Sequence, residues 1–481
     1  MTDLSYREYQ ALLRSSLSAF TERSFLELHP ATRFAANWHI DLIADKLQAV
    51  LEGRIRRLII TVPPRHLKSL IASIAAPAFC LGRNRSARIM TVSYSPELAY
   101  SLAQSSRRIM ECDFYRDLFG SVISSSKNAV NEFHTTDGGY RISVSVFGAI
   151  TGRGADLILI DDPMKPDEAM SDLRRNAVNE WFRGTLYNRQ NDKQRSGIVI
   201  IMQRLHEEDL AGFVQQFEEW DVVNLPAIAP AEQLIEWEGP FGPRRYRRSA
   251  GGILQPDRES AETLENIRKT MGSFHFQAQY LQDPAPLGGN LIKTHWFPRF
   301  DLDYTPVFDR IIQSWDTANT AREMSNYSVC TTFGIKDKKG YLLDVHRARM
   351  EYPELKKKVR ELYNEFKPTV VLIEDKASGT QLIQELRGEG IWASPIKPKS
   401  DKVMRMVAQT AMMEGGGVLL PKHAPWLDAY LHELAAFPKG KFNDQVDSTS
   451  QALEYIQDRG TWSNAALFYE QENQRRRRGG S

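Results

Sequence analysis

Apolar positions along this chain switch repeatedly between strand-like runs and helix-like spacing, and the switch points predict its elements. Residues 58–62 (LIITV) form a strand-like apolar run that stops at Pro63 and Pro64; a basic cluster follows, and Lys68 and Ser69 open an apolar helix reaching about Leu81. Upstream, Trp38, His39 and Ile40 open a helix that ends at Gly53 as a C-cap. Downstream, residues 87–93 (ARIMTVS) read as a strand, and the succession of strand, loop, helix and strand predicts a right-handed βαβ unit of a parallel sheet. A single long helix is expected from Pro96 to Gly120, with Arg107 and Arg108 on one side, then a hairpin around Asp137, Gly138 and Gly139. Residues 157–160 (LILI) predict a buried central strand that ends in Asp161 and Asp162; residues 197–204 (GIVIIMQR) predict another, ending in Gln203 and Arg204 before a helix opened by His206, Glu207, Glu208 and Asp209.

The pattern breaks between Leu225 and Asn290, where prolines and the pairs Gly251-Gly252 and Gly288-Gly289 interrupt any regular core. The run Arg244 to Arg248 (RRYRR) reads there as a solvated loop or a DNA-backbone contact, and residues 262–281 as a helix carrying Phe274, Phe276 and Tyr280. Alternation resumes at Arg310. A strand ending at Asp316, two further strands (327–335 and 341–347) joined by a turn at 336–340, and a helix (354–366) lead to PTVVLIEDKASG, a buried strand delivering Glu374 and Asp375. Helix, strand, helix and strand follow, and FPKGKFNDQVDSTSQAL turns into a helix with Asp444 and Asp447 on one face.

Length and composition set the frame for these elements. At 481 residues the chain exceeds one ordinary core, and the breaks divide it into 1–225, a linker or hinge subdomain 226–290, 291–463, and a basic tail 464–481. With 42% hydrophobic and 25% charged residues it is globular, and a net charge of +2 means that any nucleic-acid surface comes from local clusters. Cys80, Cys112 and Cys330 form neither a disulfide framework nor a zinc pattern and fit a reducing compartment. The first residues lack a signal-peptide core, and the longest apolar run, interrupted by Pro77, is too short for a bilayer, so no membrane role is expected.

Chemistry concentrates at the strand ends. The segment Pro64, Arg65, His66, Leu67, Lys68, Ser69 has the layout of a phosphate-binding loop: Lys68 for the outer phosphate oxygens, Ser69 for Mg²⁺, and the amides of 65–69 as donors, since Pro63 and Pro64 have none. Leu67 and Val62 stand where glycines are usual, and a basic surface turn is the competing reading. Asp161 is expected to hold Mg²⁺ and Asp162 to polarise the attacking water, which together with the loop argues for nucleotide hydrolysis. Arg153, in TGRG, is either a charge-stabilising cation or a solvated loop residue. Gln203 and Arg204 either sense the γ-phosphate or precede acids that complement a helix dipole. In the second half, Asp316, Glu374 with Asp375, and Asp444 with Asp447 give three acidic points. Each alone reads as a cap or surface charge; together they suit two hard ions, Mg²⁺ or Mn²⁺, about 4 Å apart in a phosphodiesterase. Three antiparallel strands followed by alternating helices and strands is the order of a ribonuclease-H-like fold.

An N-terminal half with PPRHLKS and LILIDDP, joined to one with SWDTA, VLIEDKASG and NDQVDS, resembles the large terminase subunit of tailed double-stranded DNA bacteriophages. The bridging FHFQAQYLQDPAP and the TGRGAD stretch belong to the same resemblance, which spans nearly the whole chain. It implies an α/β architecture: a P-loop (ASCE-type) ATPase with a parallel sheet, plus a C-terminal ribonuclease-H-like nuclease. It also implies ATP and Mg²⁺ as cofactors, with Mn²⁺ an option in the nuclease. Implied partners are double-stranded viral DNA, a portal protein, a small terminase subunit and copies of the chain in a ring, in the host cytoplasm. Carried over by residue, it assigns Lys68, Ser69, Asp161 and Asp162 to ATP and its metal, Arg153 to a trans-acting finger, and Gln203 and Arg204 to coupling. Asp316, Glu374 and Asp444 become nuclease metal ligands, with Asp375 and Asp447 as neighbours that share the metal binding, and either Glu374 or Asp375 as the ligand from that strand. Departures are Leu67 for glycine, Asp162 where glutamate is common, and Asn443 where another acid is frequent. Arg475 to Arg478 are expected to touch DNA or the portal, or simply to solubilise. The rival readings are a repair or resolution nuclease with an accessory ATPase, and an assembly adaptor with decayed sites.

Overall fold

In the computed structural model, residues 5–284, 291–317, 327–376, 378–398, 400–440 and 442–459 are described. The linker PAPLGGN and the tail with Arg475 to Arg478, to which sequence assigns roles, lie wholly or almost wholly outside them. The chain forms two compact units, 1–286 and 287–481. Among the described residues no helix is long and apolar enough to cross a membrane.

The first unit is built on an eight-stranded sheet. Its strands are β1 (Arg57–Thr61), β2 (Arg88–Ser93), β3 (Ile123–Asn128), β4 (Glu132–Thr135), β5 (Tyr140–Ser145), β6 (Leu157–Asp161), β7 (Gly197–Met202) and β8 (Asp221–Asn224). Their order is β3-β4-β5-β2-β6-β7-β1-β8, parallel from β5 to β8 and antiparallel at the β3–β4–β5 edge. Continuous apolar runs make β6 and β7 buried at every position, as strands covered on both faces must be. Register puts Asp161 of β6 beside Ile201 of β7, and Thr61 of β1 beside Met202. The C-terminal ends of these strands therefore meet at one edge, where ligands of open α/β sheets bind.

Two expected elements differ. The long helix is broken into Pro96–Glu111 and Asp113–Phe119, because Cys112 is extended (φ −79°, ψ 162°) and caps the second piece, which starts with an acid. The RRYRR run is not a loop: it forms β10 (Gly242–Arg248), paired antiparallel with β9 (Gln233–Gly239). Arg248 is buried and donates to the carbonyls of Pro226, Ala227 and Gly252; Arg244 pairs with Asp41 and Asp45, and Arg247 with Glu232. Much of that positive charge is thus spent within the fold. Tyr246 stacks on Trp38, ring centroids 4.4 Å apart.

The second unit has a seven-stranded sheet of β11 (Arg299–Phe300), β12 (Arg310–Asp316), β13 (Ser328–Lys336), β14 (Lys339–Ala348), β15 (Val370–Glu374), β16 (Ala393–Ile396) and β17 (Val418–Pro421). Its order is β11-β17-β14-β13-β12-β15-β16, with β12–β13–β14 antiparallel and the other pairs parallel. Asp337 and Lys338 both have positive φ, the backbone that a tight two-residue hairpin turn demands. β12 and β15 are parallel neighbours with Trp315 opposite Ile373, so Asp316 and Glu374 leave the sheet side by side.

Candidate active sites

At the edge of the first sheet, the loop after β1 adopts left-handed backbone at two non-glycine residues, Arg65 (φ 65°) and Leu67 (φ 63°). The conformation glycine would supply is therefore kept without it, with the Leu67 side chain packed against the main core as partial compensation. Lys68 begins the helix, and Ile71 N–H bonds back to the Leu67 carbonyl (3.0 Å), so the preceding turn is the unpaired N-terminal end that suits an anion. Lys68 is 6% exposed, and its Nζ lies 2.8 Å from Asp162 Oδ2. Asp162, itself at φ 45°, also accepts the Gln203 N–H (3.2 Å). Asp161 is 1% exposed and accepts the Ser73 hydroxyl on Oδ2 (2.8 Å), while Oδ1 has no hydrogen-bond partner among the described residues. Burial and the neighbouring Asp162 charge push the Asp161 carboxyl up to about 6, against the opposing pull of Lys68, Ser73 and Ser69. Two adjacent acids held with a single lysine are short of positive charge, and a hard divalent cation fits that donor set.

The other predicted members divide. The His66 ring is buried, with Nδ1 2.9 Å from the Pro64 carbonyl and Nε2 3.8 Å from Glu259, and burial lowers its pKa. Gln203 sits beside Asp162 as its backbone bond requires. Arg204 is held by Asp209 (Nε to Oδ2, 2.9 Å) and the carbonyls of His206 and Glu207, and Asp209 caps the helix Leu210–Val214. Capping accounts for that acid. Arg153 is drawn onto Glu132 through both guanidinium Nη atoms, not onto the paired acids.

In the second unit, a buried polar knuckle brings the late helix to the sheet. Ser448, on the helix Asp444–Arg459, donates to the Ser314 carbonyl (2.8 Å), accepts the Thr331 N–H (3.1 Å), and gives its own carbonyl to the Ser314 hydroxyl (2.7 Å). The first turn of that helix is thereby fixed to β12, and Asp447, Glu374 and Asp444 lie close enough for their charges to act on Asp316. Burial first, then the charges of Asp447, Glu374 and Asp444, push the Asp316 carboxyl up to about 8, although Lys402 opposes them. The Asp444 carboxyl is raised by burial and by Glu433. Asp375 turns instead to Thr380 (2.8 Å) and Lys397 (3.6 Å).

Among the described residues no group of three or more His, Cys, Asp or Glu is arranged as a ready-made metal cage. Two of these acids are engaged in ion pairs: Asp447 by Lys402 and by Arg405 (2.7 Å), and Glu374 by Lys376. A carboxyl whose pKa is raised by burial and by its acidic neighbours still fits a divalent cation, which would supply the missing positive charge. Lys402 and Arg405 escape a sequence reading, since the helix Lys402–Glu414 carries no motif; their spacing of three residues places them on one face, the only available signal. Ser73, one helical turn beyond Ser69, gives as little.

Comparison with known proteins bears on this arrangement. Residues 313–455, which contain Asp316, Glu374, Asp444 and Asp447, match the family model of the Terminase RNaseH-like domain. Among solved structures, the large terminase from a thermophilic bacteriophage in complex with ATP-gamma-S matches over 85% of this chain and 98% of its own, at 12% identity and a TM-score of 0.47. The HK97 bacteriophage large terminase matches over 92% and 99%, at 12% identity and a TM-score of 0.37. The large terminase nuclease from thermophilic phage G20c with bound magnesium covers 35% of this chain and 98% of its own, at 17% identity and a TM-score of 0.28. No curated protein matches the chain in sequence. The second unit thus has a ribonuclease-H-like fold, and its residues 313–455 are similar to the Terminase RNaseH-like domain.

Proposed function

We propose that this chain is the motor and nuclease subunit of a tailed-bacteriophage DNA-packaging machine. ATP hydrolysis in the first unit drives double-stranded viral DNA into a preformed capsid, and a metal-dependent endonuclease in the second cuts the concatemer. The observation that carries this reading is the terminase family match over 313–455, on the same polypeptide as a loop lysine, Lys68, facing paired strand-end acids. Lys68 and the 65–69 amides bind the triphosphate, Ser69 and Asp161 hold its Mg²⁺, and Asp162 orients water. Asp316, Glu374 and Asp444 hold the nuclease ions, with Asp447, locked by Lys402 and Arg405, setting the charge around them. Two hard cations there would activate the attacking water and stabilise the leaving oxygen. Mg²⁺ is the proposed ion and Mn²⁺ its substitute. The chain works as a ring on the portal in the host cytoplasm, supplied with DNA through a small terminase subunit.

The test separates the two activities. Lys68→Ala should abolish ATP turnover and ATP-dependent DNA uptake into empty procapsids while sparing cleavage, and Asp316→Ala should abolish cleavage and spare turnover. Parental behaviour of both variants in both assays would overturn the proposal. Absence of uptake with intact cutting would leave a nuclease with an accessory ATPase.

A further inference from the structure

The helix after the phosphate loop departs from α geometry. Its segment Leu70–Ala75 is π-helical and continues as the α-helix Ala76–Arg83, with Pro77 just inside the junction. Proline has no N–H, so Pro77 cannot donate to the carbonyl four residues back, that of Ser73. That carbonyl accepts from Arg141 Nη2 at 2.9 Å. Arg141 lies on β5 and is 1% exposed, among the largest fully buried side chains in the protein. Its Nη2 also reaches the Thr91 hydroxyl on β2 (3.4 Å), whereas Nε and Nη1 have no hydrogen-bond partner among the described residues. A buried guanidinium left so incompletely satisfied is costly, and a shorter or apolar side chain would avoid the cost.

What the arginine holds explains its retention. Nearby carbonyls of the same helix are also met by side chains, Ile74 by the Ser106 hydroxyl and Ala78 by the Tyr115 hydroxyl, both at 2.9 Å. The Ser73 contact differs because it leads onward: the Ser73 hydroxyl, itself buried, donates to Asp161 Oδ2 at 2.8 Å. We propose that Arg141 is a positioning residue for ATP hydrolysis: its guanidinium holds the Ser73 carbonyl, to which Pro77 offers no N–H, and thereby fixes the Ser73 hydroxyl on Asp161. Arg141 acts through Ser73, and the inference rests on the ATPase reading above.

Steady-state ATP turnover by the full chain, titrated with ATP and with Mg²⁺, tests it in Arg141→Met, Ser73→Ala and their double variant. Each single variant should lower kcat by about tenfold with KM for ATP kept within about twofold, the scale expected when a site group is misplaced rather than removed. The double variant should fall no further than the worse single, since both break one chain of contacts. DNA cleavage should remain parental in all three, and an unchanged circular-dichroism spectrum with a first-unit melting transition above the assay temperature certifies folding; should Arg141→Met fail to fold, Arg141→Lys carries the same comparisons. Parental kcat in Arg141→Met, or a double variant whose loss is the product of the singles, overturns the proposal. A second readout needs no ATPase activity: Arg141→Met should lower the melting midpoint of the first unit, and adding Pro77→Ala, which returns an N–H to the Ser73 carbonyl, should recover most of that loss. Additive melting shifts also overturn it. If the parent chain turns over no ATP, the ATPase reading fails while the melting cycle still decides whether Arg141 serves the Ser73 carbonyl.

Discussion

Leu67 shows how one side chain can hold a backbone that its type disfavours. Left-handed φ costs a leucine roughly 1–2 kcal/mol, and burial of its side chain returns at most roughly 1.5–3 kcal/mol. Leu67→Gly removes both terms, so stability should stay within about 1 kcal/mol of the parent and KM for ATP should barely move. Leu67→Val, whose branched Cβ resists φ 63°, should raise KM severalfold in the same turnover assay. Asp316 gives the pH counterpart. Its folded value, about 8, lies above its ordinary 3.8, so the folded state binds the extra proton between those limits. In metal-free buffer its contribution to stability is therefore full below about pH 4 and is lost as pH rises through 8. Asp316→Asn should melt higher than the parent at pH 8 without metal, match it at pH 4, and cut no DNA; an unchanged pH 8 midpoint would contradict the crowded-carboxylate picture.

Elements explain why parts of this site were legible in the sequence and others were not. Strands such as β6 and β15 announce themselves because a buried parallel strand is an unbroken apolar run, and a carboxylate at its end stands out against it. The β9–β10 hairpin does not, because its prolines and glycine crowd the turn and its faces are only partly buried. The docking of the helix Asp444–Arg459 is equally silent: the residues that seat it, Ser448 with Ser314 and Thr331, are small and polar, so hydrophobic periodicity cannot find them. Lys402 and Arg405 were missed for a related reason, since a helical charge pair is ordinarily a solvated face. The knuckle makes its own prediction. Ser448→Ala strands the Thr331 N–H and the Ser314 carbonyl, which should cost about 1–3 kcal/mol. Loosening of the first turn should also lower cleavage several-fold while ATP turnover stays parental. Equal loss of both activities would mean that the serine supports global folding rather than the placement of Asp444.

At the scale of the whole molecule, each unit has its own core and its own acidic site. The first core gathers Leu58, Ile60, Ile71, Phe79 and Phe133 around the phosphate loop; the second gathers Trp315, Val371, Ile373 and Leu382 beneath Asp316 and Glu374. Ligands that bind only the native form stabilise by mass action, about 2.7 kcal/mol at a hundredfold excess over Kd. For the second unit, of about 200 residues, that is a rise of roughly 5–10 °C in melting temperature, and for the larger first unit somewhat less. Separate cores carrying separate sites should respond separately: a nonhydrolysable ATP analogue with Mg²⁺ should raise the transition of the first unit most, and Mn²⁺ alone that of the second. Lys68→Ala should erase the nucleotide shift and keep the Mn²⁺ shift, whereas Asp316→Asn should do the reverse. Scanning calorimetry of the full chain reads all four conditions without any turnover, so it tests the division of labour even where catalysis is slow. A single transition moved by either ligand, and silenced by either substitution, would mean that the two sheets unfold as one body and that their sites are energetically joined.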